Sequence, residues 1–241
     1  MMKSTDLFNN IQQFCRENAD EAVVKKYSRY FKEGYDGYGL DQQKMETKIN
    51  ELQNHPEVNL PLVLETAPLL FESGKYEETS FAMLLAYEFR NDFNKDIFNR
   101  IENWFDVGII NWGHADYMAT ILMYEFLYKK IISYNDLAEW RKAQNPYQRR
   151  CVTVSMIKVA KKMDANYQQM VDFIEPLMMD AERPVHQGIG WFLREIWKLK
   201  PEITEKHLLK WKNDAPRLIF QYALEKMPKE DRVRFRKVKK T

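Results

Sequence analysis

Residues 112–130 read WGHADYMATILMYEFLYKK. The stretch opens with an indole and a carboxylate, Trp112 and Asp116, and then turns into an apolar run, ATILMYEFLY. It contains no proline, and no glycine after Gly113. It does not alternate as a half-buried strand must, so it reads as a helix about to bury itself. On a helix, residues four apart share a face, which sets Trp112 beside Asp116. Two plain explanations exist: a first-turn aspartate favoured by the helix dipole, and a tryptophan packed in the core. A choice between these and a functional pair needs the rest of the chain.

Outward from this segment the same pattern repeats. DLFNNIQQFCREN and EAVVKKYSRYFKE carry apolar residues at three- and four-residue spacing, the amphipathic signature. A glycine-rich break, EGYDGYGL, follows, and Asp41 is placed to cap the next helix. PYQRRCVTVSMIKVAKKM, PVHQGIGWFLREIWKL and APRLIFQYALEKM continue the series. With 8 glycines and 9 prolines in 241 residues, turn formers are few, and no segment reads as a strand. Helices in neighbouring pairs with short connections predict an all-α fold: an α-solenoid of HEAT-like repeats of about 40 residues, with a concave basic groove. No linker divides the chain, so one domain over 1–241 is expected. A compact helical bundle is the alternative.

Net charge is only +2, so the whole molecule is no general polyanion trap. Its distribution is uneven: acidic runs such as ESGKYEE lie early, and WRKAQNPYQRR, KVAKK, KLK and RVRFRKVKK lie late. One basic face is compatible with this, as are ordinary solvated helix faces. Two cysteines, Cys15 and Cys151, are too few for a disulfide framework and fit a reducing cytosol. No signal-peptide core and no run of about 20 apolar residues occurs. A cytoplasmic monomer without a membrane anchor is expected.

Arg150 lies roughly 40 residues after Trp112, and Trp191 roughly 40 after Arg150, the period at which one solenoid face recurs. Arginine clamps phosphate in two-pronged fashion, indole faces attract cations, and a carboxylate stabilises developing positive charge. These groups suit a substrate that is anionic along its backbone and cationic at its reacting centre. A purine methylated at N3 or N7 within DNA has that character. Core packing is the plain reading of Trp104, Trp140, Trp197 and Trp211. Arg194 and Glu195 read as a structural ion pair between helices. His114 and Asp116 are two apart, on different faces, with no third ligand nearby, so no metal site is expected.

Four motifs resemble the AlkD-like family of DNA alkylation repair glycosylases. SRYFKEGYDGYGL is similar to the family's early helix and aromatic-glycine turn, with Tyr30 at the aromatic position. INWGHAD resembles its Trp-x-x-x-Asp motif, NPYQRRCV its Asn-x-Trp-x-x-Arg motif, and GIGWFLREIWKLKP its Gly-Trp-x-Leu-Arg-Glu motif. Tyr147 stands where the family usually has tryptophan and keeps an aromatic surface. The resemblance spans roughly residues 20–200 and implies excision of cationic N3- or N7-alkylpurines from duplex DNA without base flipping. On that model Asp116 stabilises an oxocarbenium-like sugar and positions water. Trp112 and Trp191 pack against the lesion's sugar-phosphate, and Arg150 holds a phosphate, with Tyr30, Arg149 and Tyr147 as further DNA contacts. Only the motif register selects Arg150 over Arg149. No metal or organic cofactor is implied. The tail EDRVRFRKVKK offers an extra phosphate contact. Relatives of this fold that bind DNA without excising bases supply the alternative, and a protein–protein scaffold is the third reading.

Overall fold

A computed structural model describes residues 1–32 and 34–238. Among them the regular elements are all helical, as the pattern predicts, and no strand occurs. The chain divides into two compact units, Met1–Tyr117 and Met118–Thr241. No helix among the described residues is long and apolar enough to cross a membrane.

Unit 1 holds α1 (Ser4–Glu17), α2 (Glu21–Ser28), α3 (Gln42–Gln53), α4 (Leu60–Glu72), α5 (Tyr76–Glu88), α6 (Lys95–Glu102), α7 (Trp104–Val107) and α8 (Trp112–Tyr117). Asp41 caps α3 as expected, its carboxylate accepting from the Lys44 amide at 2.8 Å. The centre is α5, against which α1, α3, α4 and α8 pack. Nine of its residues between Glu77 and Ala86 are buried, which is the pattern of a helix enclosed on every side. Here α2 ends at Ser28 rather than continuing through the Tyr30–Phe31 segment, because the following loop is tied elsewhere. Tyr38 accepts from the Asp20 amide at 2.8 Å, and Asp36 from the Tyr76 amide at 2.7 Å.

Unit 2 begins with a π-helical segment, Met118–Met123, followed by α9 (Tyr124–Tyr128), α10 (Pro146–Lys162), α11 (Tyr167–Ile174), α12 (Arg183–Leu199), α13 (Pro201–Trp211) and α14 (Arg217–Ala223). Asn145 caps α10 through the Tyr147 amide at 2.8 Å, and Pro146 supplies the preset φ of a first helical residue. Sequential neighbours α4 with α5, and α12 with α13, pack on one another as hairpins of a repeat do.

In this unit α12 is the middle layer, between α10 and α14. Its GIG sequence explains how. Residues two apart on a helix point to nearly opposite sides, so Gly188 faces α10 and Gly190 faces α14. A Cβ on Gly188 would lie 2.8 Å from Thr153 Oγ1; one on Gly190 would lie 2.5 Å from Tyr222 Cβ and 2.7 Å from the Ile219 carbonyl oxygen. The second clash is with backbone and cannot be relieved by a rotamer change. Gly190→Ala should therefore cost about 2 kcal/mol, or roughly 4–8 °C in Tm. A thermal melt within 1 °C of wild type would show that α14 yields freely.

Candidate functional site

Asn111, not Asp116, starts α8. Its side-chain oxygen accepts from the His114 amide at 2.9 Å, a capping contact. Asp116 therefore sits in the second turn, half-buried, and is not the capping acid. His114 is buried and fastens the helix to α5. Its Nε2 lies 2.9 Å from the Tyr76 carbonyl oxygen, its Nδ1 lies 2.8 Å from Asn111 Nδ2, and its ring stacks on Tyr76 at 4.4 Å. These partners assign the neutral tautomer: Nε2–H donates to the carbonyl and Nδ1 accepts from the amide. His114 thus faces inward, onto α5.

Burial, only partly offset by the bond to Tyr76, lowers the His114 pKa from 6.5 to about 4. Burial likewise takes His207, on α13, to about 4. Each imidazole gains a proton on unfolding between these values. Their stabilising contribution is complete above pH 6.5 and falls as pH drops toward 4, by up to about 3 kcal/mol each. Urea midpoints should fall between pH 7.5 and 5.0, and less so in His114→Gln. Equal midpoints at both pH values would contradict the buried neutral form.

Trp112 is held on two sides. Its ring stacks on Phe31 with centroids 5.1 Å apart and planes 16° apart. Its Nε1–H donates to the Tyr30 carbonyl at 3.3 Å. It is half-buried, so it is neither a core tryptophan nor a free one. Tyr30 supplies backbone to this contact while its side chain stands in solvent, 62 % exposed. Behind them Phe31, Tyr35 and Tyr76 lie with ring centroids 5.1–5.4 Å apart. Burial first, then the charges of Tyr117, Glu77 and Asp116, raise the Tyr76 pKa; Asp116 is thereby within electrostatic reach of the Tyr76 hydroxyl.

Sequence reasoning passed over the residue that organises this region. Glu77 is 1 % exposed, and its carboxylate accepts four bonds from one loop. The Tyr35 hydroxyl donates at 3.0 Å, and the Tyr38, Gly39 and Leu40 amides at 2.7, 2.8 and 3.2 Å. Successive backbone N–H groups of this kind form an anion-holding nest. Gly39 makes the turn with φ +79°, and a Cβ there would meet the Asp20 carbonyl oxygen at 2.3 Å. The glycine-rich YDGYGL was legible as a turn, but the acid that holds it lies 37–42 residues away.

The remaining expected site residues belong to unit 2. Arg149 grips Asp180 with Nε at 2.7 Å and Nη2 at 3.2 Å, and its Nη1 donates to the Ala143 and Gln144 carbonyls. Arg150 is 6 % exposed and donates to the Pro184 carbonyl at 2.9 Å, in the first turn of α12. Tyr147 is buried at the start of α10, and Trp191 is half-buried on α12. Both arginines are thus joined to protein acceptors, and Arg150 is also buried. Trp104 and Trp140 are core residues, while Trp197 and Trp211 are half-buried.

Arg194 and Glu195 pair as neighbours on one helix rather than between helices. The partners from outside α12 are Lys161 on α10, 2.5 Å from Glu195, and Glu225 in the turn after α14, which bonds Arg194. Burial pushes the Glu195 carboxyl up, but bonds from Lys161, Lys198 and Arg194 overcome it and hold the pKa at about 2. In the tail, Arg232 donates to the Met227 and Glu225 carbonyls and Arg234 pairs with Glu205 at 2.8 Å. Lys239 and Lys240, the last basic residues of the expected phosphate contact, lie outside the described residues.

Comparison with known proteins adds to this geometry. A predicted DNA alkylation repair enzyme from Enterococcus faecalis is similar in structure, with a TM-score of 0.72 at 16 % identity, over 88 % of this chain and 98 % of that one. The crystal structure of AlkD2 from Streptococcus mutans gives 0.59 at 20 % identity, over 86 % of this chain and 98 % of that one. At these identities the likeness concerns the fold. No match is found among curated protein sequences. The model of the DNA alkylation repair enzyme family matches residues 11–227, and the chain belongs to that family.

Proposed function

We propose that this protein is a DNA glycosylase that hydrolyses the N-glycosidic bond of positively charged N3- or N7-alkylated purines in duplex DNA. The observation that carries the reading is the pair at the start of α8. Trp112 is locked in place by Phe31 and the Tyr30 carbonyl, and Asp116 stands one turn away on the same face. Both are half-buried rather than core residues, and Asn111 has taken the capping role.

In the proposed reaction the C1′–N bond breaks and its electron pair passes to the purine, cancelling the base's positive charge. The sugar becomes oxocarbenium-like. A carboxylate fixed beside it lowers the energy of that state without reorganising at the moment of reaction. Water bonds to C1′ and gives up a proton to solvent through Asp116, leaving an abasic site. Trp112 and Trp191 pack on the sugar-phosphate flanking the lesion. Tyr30 extends this contact surface. Arg150 holds a phosphate, with Arg149 and Tyr147 as further DNA contacts.

Release of 7-methylguanine and 3-methyladenine from methylated duplex DNA tests this reading, followed by chromatography against an enzyme-free control. Base release above the control is expected. DNA binding that weakens with salt, without base release, would replace the enzyme by a damage-binding module. Absence of both would leave a protein-binding role.

A further inference from the structure

Gly113 is a glycine for a reason that lies on another helix. Its φ is not positive, so the backbone does not require it. A Cβ there would lie 2.8 Å from the Tyr76 hydroxyl oxygen and 3.3 Å from Tyr76 Cε2. The absent side chain is thus a niche at the start of α8, filled by the end of the Tyr76 ring. The ring is held there on several sides. It stacks on His114 at 4.4 Å, and Phe31 and Tyr35 lie 5.4 and 5.2 Å from it. Its backbone is fixed as well, the carbonyl by His114 Nε2 and the amide by the Asp36 carbonyl.

The niche opens onto the face of α8 that carries the candidate carboxylate. Residues three and four apart share a helix face, so Gly113 is followed there by Asp116 and Tyr117, both half-buried. The electrostatics agree with this placement. Burial, then Tyr117, Glu77, Asp116 and Tyr27, raise the pKa of Tyr76, so these groups lie around its hydroxyl, which stays a neutral O–H. Burial and Tyr27 act on Tyr117 in the same direction. A neutral hydroxyl suits this place better than a lysine or arginine. It can donate to a carboxylate and hold its orientation, while leaving the negative charge to face a developing cation. A cationic side chain would cancel that charge.

We infer that Tyr76 is a positioning residue for Asp116: its hydroxyl, seated in the Gly113 niche, orients the carboxylate toward the sugar of the lesion. What the carboxylate does there rests on the glycosylase reading; the niche rests on the packing of unit 1 alone. The effect belongs to the rate rather than to DNA affinity, since the carboxylate favours the transition state over the bound ground state.

Tyr76→Phe removes the hydroxyl and keeps the ring. Single-turnover base release from methylated duplex should fall about tenfold, the weight of one hydrogen bond to a charged group, with duplex affinity within about twofold of wild type. In the Asp116→Asn background the same substitution should change the rate by less than about twofold, because the group it orients has lost its charge. The double variant Gly113→Ala/Tyr76→Phe refills the niche with a methyl group. It should release bases no faster than Tyr76→Phe; recovery of the wild-type rate would make Tyr76 a packing residue only. An undiminished rate in Tyr76→Phe, or an equal loss in the Asp116→Asn background, would also overturn the assignment.

Thermal melts give a readout that needs no base release. Gly113→Ala should lower Tm by about 4 °C in wild type, where the new Cβ meets the hydroxyl, and by less than half of that in Tyr76→Phe. The losses from Tyr76→Phe and Asp116→Asn should be less than additive, as for two groups in one interaction. Additive losses in either cycle would remove the coupling of Tyr76 to Asp116 whatever the enzymology shows. Base release that is indifferent to Tyr76→Phe removes Tyr76 and keeps the glycosylase. No base release by wild type, with both cycles non-additive, removes the glycosylase and keeps the coupling.

Discussion

Asp116→Asn is expected to slow base release by about 100- to 1,000-fold while DNA binding persists. The substitution preserves size and shape, removes the charge and turns one acceptor oxygen into an NH₂ donor. The ground-state lesion already carries its positive charge on the purine. In the transition state that charge moves to the sugar, so a carboxylate beside the sugar stabilises the transition state more than the ground state. Loss of this differential term should appear in the single-turnover rate and not in affinity. Asp116 lies in the second turn of a helix whose cap and anchor are Asn111 and His114, so neither is touched by the change. Because cationic purines also leave spontaneously, the rate must be read against enzyme-free DNA. Equal rates for wild type and Asp116→Asn would remove the carboxylate from the mechanism.

The sequence pattern made the helices legible because apolar spacing reports which face is buried, and Asp41 and the Asn145–Pro146 pair mark helix starts by local chemistry alone. Trp112 and Asp116 were legible for the same reason: one helix and a four-residue interval relate them. What stayed hidden depends on partners distant in sequence. Arg149 and Arg150 look like free phosphate clamps until Asp180 and Pro184 are placed beside them. The basic runs of the second half overstate free charge in the same way. Arg141 donates to the Phe173 carbonyl. Arg232 and Arg234 likewise turn onto Met227 and Glu205. Charge counted along a chain is not charge available at a surface, because guanidinium donors satisfy carbonyls as readily as phosphates. The Glu77 nest was hidden for another reason. A glutamate in the first turn of a helix reads as a solvated, dipole-favoured acid, and only the returning loop shows what it holds.

That loop supplies the second large effect. Glu77→Ala is expected to destabilise unit 1 by about 3–5 kcal/mol, the cost of stripping the acceptor from a buried charged network. The substitution orphans the Tyr35 hydroxyl and the amides of Tyr38, Gly39 and Leu40 together. Water has little access, since Gly39 and Leu40 are themselves buried. Glu77→Gln separates the loss of the acceptor from the loss of shape. Its amide oxygen can still accept from Gly39, but its NH₂ would face the Tyr38 amide, donor against donor, where Oε2 now accepts at 2.7 Å. Glutamine should therefore recover part of the stability and not all of it. The functional consequence follows the chain of contacts: Glu77 fixes Tyr35, Tyr35 packs on Phe31, and Phe31 carries Trp112. Glu77 is accordingly a positioning residue. A merely structural role predicts that Glu77→Gln, assayed well below its melting temperature, releases bases at the wild-type rate. A positioning role predicts a reduced rate under the same conditions, together with altered Trp112 emission as the indole loses its fixed stacking partner. Wild-type stability in Glu77→Ala, measured by urea denaturation, would mean that the loop finds other acceptors, and the positioning argument would fall with the nest.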